Sequence, residues 1–246
     1  MGGSAQISIQ TGCQKSCGSV GATGMKTGVF LQTRIGSTRL PGKALLPLAG
    51  KTVLEHVLEA LLPVKADVHA ILTDSKSIDL FRDTARRMDF EIFEGPAEDV
   101  LARYCMAAQY YGVDRVVRAT GDNPCVSSEL ANKNLVLHDK ERLDLSRFKG
   151  APLGTGVEVI ETWALAESRD RSSDPYEHEH ITTYLLRHDK EYHVKEFGVS
   201  GKCLLPQAHV TLDTKEDYAF MTGLYSDLYR GKPLTCQEIV EWFKRK

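Results

Sequence analysis

From Gly28 onward, short apolar runs alternate with segments of helical periodicity, which predicts an α/β protein with a mostly parallel sheet covered on both faces. A second observation agrees with the first. The apolar runs end on polar or charged residues, and in open sheets of this class ligands sit at the carboxyl ends of the strands. No internal repeat or low-complexity linker interrupts the pattern after residue 25.

The elements follow in order. Val29-Phe30-Leu31 reads as a first buried strand, ending in a basic loop. Thr52 and Glu55 have the spacing of a capping box, and Val53, Leu54, Val57, Leu58, Leu61 and Leu62 continue it as a helical stripe. His69–Leu72 predicts a second strand, and Ile78, Phe81, Ala85 and Met88 a second helix. Phe90–Phe93 predicts a short strand. Val100, Leu101, Tyr104, Cys105 and Ala108 give a further helix, closed by Gly112. Arg115-Val-Val-Arg-Ala leads into the turn Gly121-Asp122-Asn123-Pro124. Later apolar runs lie at Val157–Ile160, Tyr192–Val199 and His209–Leu212, with helices expected near 161–169, 178–188, 214–229 and 235–245.

Of 246 residues, 42% are apolar and 26% charged, the composition of a globular protein with a sizeable core. The formal net charge of −2 provides no global field to recruit nucleic acid or an anionic membrane, so any anion site is built locally. No run approaches the roughly 18 apolar residues of a membrane span. Six scattered cysteines fit reduced thiols in a cytoplasmic protein. Residues 1–24 differ: six glycines, four serines and the single charge of Lys15 read as a tag, an upstream start or a disordered tail. Residues 25–246 form the expected domain.

The strand exits carry the candidate chemistry: Gln32-Thr33-Arg34, Thr73-Asp74, Gly121-Asp122 and Asp213-Thr214. Cations leave the first strand and carboxylates leave the others, a combination suited to a polyphosphate with Mg²⁺. Arg34, Arg39 and Lys43 stand within ten residues of one another, and Gly36 and Ser37 let backbone N–H groups approach an anion. The loop is not a Walker P-loop. Gly36 and Gly42 enclose five residues rather than four, and Ala44 stands where the metal-binding hydroxyl belongs. Gly50-Lys51-Thr52 has the hydroxyl, but Leu45 occupies the place of the first glycine. The bland alternatives are a solvated basic loop, a turn at Asp122, a helix cap at Asp213 and a strand terminator at Asp74. Glu177-His-Glu-His180 places its histidines two apart, which does not share a helix face; helix-start acids and one substrate-facing His180 are expected instead. Cys125 is expected as a packed thiol, and Cys13-x3-Cys17 lacks a second pair to complete a zinc site.

In this order the pieces resemble a known family. Arg34-Ile-Gly-Ser-Thr-Arg-Leu-Pro-Gly-Lys43 resembles the signature loop of the sugar-activating cytidylyltransferases, in the variant of CMP-KDO synthetases and, more closely, SpsF-like proteins of spore-coat polysaccharide synthesis. The likeness continues through Glu98-Asp-Val-Leu-Ala-Arg103-Tyr104, Val117-Arg-Ala-Thr-Gly-Asp-Asn-Pro124, Gly156-Val-Glu-Val159, Glu179-His-Ile-Thr182 and Val210-Thr-Leu-Asp-Thr-Lys-Glu-Asp217.

The resemblance implies a nucleotide-diphospho-sugar transferase fold: a GT-A, Rossmann-like three-layer sandwich with a mostly parallel sheet and a small dimerisation flap. It implies transfer of CMP from CTP to a sugar acid or related sugar or phosphate acceptor, with Mg²⁺, by a homodimer. Carried over, Arg34, Gly36, Ser37, Arg39, Lys43, Asp74 and Arg103 would bind the nucleotide. Arg39, Lys43 and Asp122 would act in catalysis, Asp122 and Asp213 would hold Mg²⁺, and Glu158 and His180 would face the acceptor. SpsF-like proteins usually carry Pro-x-Gly-Leu-Asp-Val-Glu where this chain has Pro152-Leu-Gly-Thr-Gly-Val-Glu158, so Gly156 replaces an acceptor-side Asp. The competing readings are another nucleotidyl- or glycosyltransferase of the same fold and an inactive nucleotide-binding module.

Overall fold

In the computed structural model, which describes residues 24–246, the first apolar run becomes the central strand β1, Thr27–Gln32. Its neighbours are β4, Val68–Thr73, and β6, Arg115–Thr120, both parallel to it. A two-strand hairpin, β2 (Pro47–Leu48) and β3 (Lys51–Thr52), lies between β1 and the first helix. Helix α1, Val53–Leu61, starts on the predicted Thr52–Glu55 capping box. Then come α2, Ile78–Arg87; β5, Glu91–Glu94; and α3, Val100–Tyr111, capped by Asp99 and closed by left-handed Gly112.

Beyond β6 lie α4, Ser128–Glu141; β7, Leu145–Lys149; β8, Glu158–Glu161; and α5, Thr162–Arg171. Short helices α6, Pro175–Glu179, and α7, Thr183–Arg187, precede β9, Val194–Gly198. The described chain closes with α8, Lys215–Leu228, and α9, Cys236–Arg245. The sheet order is β5-β4-β1-β6-β8-β7-β9, and β8 is antiparallel to both of its neighbours. The predicted mostly parallel α/β sheet is therefore the observed one.

Alternation along β1 builds the layers. Val29 and Leu31 face the core under α1, α2 and α4, while Phe30 faces the core under α3, α5 and α7. A third cluster packs the hairpin and α8–α9 against Val210 and Leu212.

Three local expectations change. The residues 209–212 run forms no strand of the sheet; it is extended chain joined to Leu153 by an isolated bridge. The helix expected over 178–188 is two short helices broken at His180–Thr182. Helix α4 and strand β7 had no counterpart in the sequence pattern. Of the tail expected over residues 1–24, residues 1–23 lie outside the described residues, Cys13 and Cys17 among them. The described cysteines Cys105, Cys125, Cys203 and Cys236 are all free thiols. Among the described residues no helix is long and apolar enough to cross a membrane.

Candidate active site

The adjacent ends of β1 and β6 open into a cavity of about 420 Å³. The two strand exits come close enough to require Gly121. Its N–H donates to the Gln32 carbonyl at 2.9 Å, and a Cβ there would stand 2.5 Å from Thr33 Oγ1. The basic loop folds over the mouth. Gly42, with φ of 70°, takes the left-handed turn into the 3₁₀ turn Lys43–Leu45 and donates its N–H to the Ile35 carbonyl.

The central feature is a bridged pair of carboxylates. Lys43 Nζ lies 2.9 Å from Asp122 Oδ2 and 2.8 Å from Asp213 Oδ1, with its side chain only 14% exposed. Arg39 adds a second cation, 3.2 Å from the same Asp213 oxygen. Thr120 Oγ1 donates to Asp122 Oδ1 at 2.6 Å. Burial opposes ionisation of Asp122, but the Lys43 ammonium and the Thr120 hydroxyl outweigh it and hold the carboxyl below its usual range.

The extended 209–212 segment explains how residues 91 positions apart meet. Val210 and Leu212 are fully buried, and the Leu212 N–H donates to the Asp122 carbonyl at 2.8 Å. One residue later, Asp213 emerges beside Asp122.

Gly36, Ser37, Arg34, Arg39, Lys43, Arg103, Asp122, Asp213 and His180 all line the cavity, so most of the expected site residues are gathered in one place. Arg34 lies at the rim, 3.6 Å from Glu179. Arg103 is almost wholly buried and spends its guanidinium on the carbonyls of Pro96 and Ala97, shaping the loop before α3. Two residues stand apart from the lining. Asp74 is buried at the end of β4, where its carbonyl starts α2, and its Oδ1 has no hydrogen-bond partner among the described residues. Glu158 is held by Arg118 at 2.6 Å, Arg147 at 3.3 Å and the Thr182 hydroxyl at 3.1 Å.

Arg118 and Glu179 line the cavity without having been singled out from sequence. The available signal was Arg118 itself, a charge within the otherwise apolar Val116–Ala119 run. Burial works against that charge, yet Glu158 outweighs it and raises the Arg118 pKa. Lys51 sits on the β2–β3 hairpin and pairs with Glu59 at 2.7 Å. The two histidines of the 177–180 segment diverge: His178 contacts Asp99, while His180 packs on Tyr176. Cys125 is buried, which pushes its thiol up to about 12 and leaves it a packed side chain.

A family profile described as cytidylyltransferase matches residues 29–233. The chain belongs to the cytidylyltransferase family. It is 30% identical over 223 residues to the spore coat polysaccharide biosynthesis protein SpsF of Bacillus subtilis (strain 168), covering 88% of this chain and 93% of that protein. A 3-deoxy-manno-octulosonate cytidylyltransferase of Brucella canis is 30% identical over 145 residues, 56% of this chain and 54% of its own length. Among solved structures, a cytidylyltransferase from Leptospira borgpetersenii superposes with a TM-score of 0.83 at 28% identity, covering 90% of this chain and 95% of that one. CMP:2-keto-3-deoxy-manno-octonic acid synthetase complexed with CTP shares the fold, with a TM-score of 0.65 at 16% identity over 82% of this chain and 99% of that one. This cytidylyltransferase thus has its family's fold, with its basic loop and two carboxylates at the carboxyl edge of the sheet.

Proposed function

We propose that this cytidylyltransferase moves CMP from CTP to a sugar acid or related sugar or phosphate acceptor, releasing pyrophosphate, in the synthesis of a cell-surface polysaccharide. One observation carries the reading: the basic loop leaving β1 and the carboxylates Asp122 and Asp213 converge on a single ammonium inside the cavity.

Arg34, Arg39 and Lys43 would grip the triphosphate, with the backbone of Gly36 and Ser37 approaching its oxygens. Asp122 and Asp213 fit Mg²⁺, which is usually held by one or two carboxylates with phosphate oxygens and water completing the shell. Two carboxylates within reach of one ammonium supply that number. When bound, the ion would neutralise charge developing at the α-phosphate.

An acceptor oxygen, ionised already in a phosphate or losing its proton to water in a hydroxyl, attacks the α-phosphorus in line, and the bond to the bridging oxygen of pyrophosphate breaks, its electron pair leaving with the pyrophosphate. Arg39 and Lys43 stabilise that leaving group. Positioning and charge compensation do the work, with no covalent enzyme intermediate. His180 faces the acceptor from the break between α6 and α7, and Glu158 acts behind Arg118, fixing its guanidinium at the cavity wall. Arg103 supports the nucleotide side from within the lining and Asp74 from behind it. At Gly156 a Cβ would meet nothing within 4 Å, so this position has room for the Asp that the resemblance leads one to expect there. A cytoplasmic homodimer completes the proposal, the location following from the supply of CTP and the dimer from the family likeness; light scattering in solution tests the latter.

Thermal unfolding with CTP, UTP, ATP and GTP, each with and without Mg²⁺, tests the donor site. CTP at about 100 times its Kd should add about 2.7 kcal/mol of stability. No shift with any nucleotide would refute the reading; a CTP-specific shift leads to assaying pyrophosphate release against a panel of sugar acids and sugar phosphates.

A further inference from the structure

Lys43 has two tasks that exclude each other. In the proposed reaction its ammonium grips phosphate, yet here it lies between Asp122 and Asp213, on the oxygens that would hold the divalent cation. We infer that Lys43 is a built-in stand-in for that cation, occupying the carboxylate pair until a triphosphate draws it away, so that metal and nucleotide load together. This inference rests on the proposed metal role of Asp122 and Asp213.

Charge balance supplies the first support. Two carboxylates sharing a site repel unless a cation compensates them. Here Lys43 and Arg39 match Asp122 and Asp213 charge for charge. Distance supplies the second. The ammonium stands 2.8–2.9 Å from its acceptors, whereas Mg²⁺ draws its oxygens to about 2.0–2.1 Å. The two cations cannot share the gap.

Mobility supplies the third. Lys43 follows Gly42 in the loop, and among the described residues its ammonium has no hydrogen-bond acceptor besides these two carboxylates. Its flexible four-carbon stem can redirect the charge without moving the sheet. A triphosphate entering beside Arg39 and Lys43 competes for both cations at once, and so frees both carboxylates in one event. By linkage, metal must then tighten nucleotide binding by the same factor as nucleotide tightens metal binding.

The test is Mn²⁺ binding to nucleotide-free protein, followed by electron paramagnetic resonance. Lys43→Met should bind Mn²⁺ roughly tenfold tighter than wild type, in the range of typical couplings between sites. Lys43→Arg, which keeps the charge, should stay at the wild-type affinity. If Lys43→Met fails to fold, Lys43→Gln replaces it. A neutral variant no tighter than wild type overturns the stand-in role and leaves the metal reading intact. In the neutral background, Asp122→Asn should return Mn²⁺ affinity to the wild-type level. If the gain persists there, the ion sits elsewhere, and the two-carboxylate reading fails along with the inference.

Discussion

Strand β6 carries a polar network at each end, and the two ends differ in what they leave available. At its start, Arg115 donates to Glu161 at 2.7 Å, and His138 Nε2 meets the same carboxylate oxygen at 3.0 Å. His138 Nδ1 meets Ser146 Oγ at 2.8 Å, and that hydroxyl donates to Asn134 at 2.8 Å. His138, Ser146 and Asn134 are completely buried. A serine, a histidine and a glutamate in contact invite a hydrolase reading. The buried serine spends its proton on Asn134, however, and no substrate can reach it, so the network is structural. At the far end of β6, Asp122 joins Lys43 and Asp213 beside open space. The closed end satisfies its polar groups with one another and admits nothing. The open end pairs its charges only until a ligand offers better partners, as expected where strand ends diverge.

Glu161→Ala should break the closed end most severely. Among the described residues it leaves the buried Arg115 with only Asp139 as a charged partner, and it strips the Nε2 contact from His138. The expected cost is about 3–5 kcal/mol, measured by denaturant unfolding, with CTP affinity unchanged in the protein that remains folded. Asp122→Asn is the matching change at the open end. Pyrophosphate release should fall by about 100-fold or more through lost charge compensation, while the unfolding midpoint barely moves. An unaffected rate would remove Asp122 from the chemistry. Ser146→Ala should cost about 1–3 kcal/mol, because it leaves buried partners unmatched, again without touching turnover.

The smallest effect concerns His178, whose Nδ1 faces Asp99 at 2.9 Å and whose Nε2 faces the Ser172 carbonyl at 3.0 Å. Burial lowers its pKa, but the Ser172 carbonyl, Asp99 and neighbouring Glu177 together raise it above the ordinary 6.5. Because the folded-state value is raised, its contribution is complete below pH 6.5 and is lost as pH climbs through the folded pKa. The stability gap between wild type and His178→Gln should therefore shrink with rising pH, by less than about 1 kcal/mol for a pair this near the surface.

The same contrast explains what the sequence pattern hid. Helix α4 turns Asn134 and His138 inward along with Leu130, Ala131 and Leu135, so its buried stripe is part polar. Strand β7 buries Ser146 next to Leu145. Hydrophobic periodicity cannot register a core face made of hydrogen-bonded polar groups, and both elements escaped it. The apolar elements were legible for the converse reason. β1 buries a short continuous apolar run bounded by polar residues, α1, α2 and α3 bury residues at helical spacing, and Thr52 and Gly112 mark helix ends.

The α/β class, the basic loop from Arg34 to Lys43 and the candidate carboxylates can be read along the chain, because periodicity, glycine placement and residue type are local properties. Which of those residues meet is a property of the folded molecule. Asp213 reaches Asp122 through a backbone hydrogen bond from an extended segment that joins no strand of the sheet, and Glu158 sits behind Arg118 instead of lining the cavity. Such pairings depend on where separate strands end relative to one another. That is fixed by the packing of the whole sheet, and no short stretch of sequence contains it.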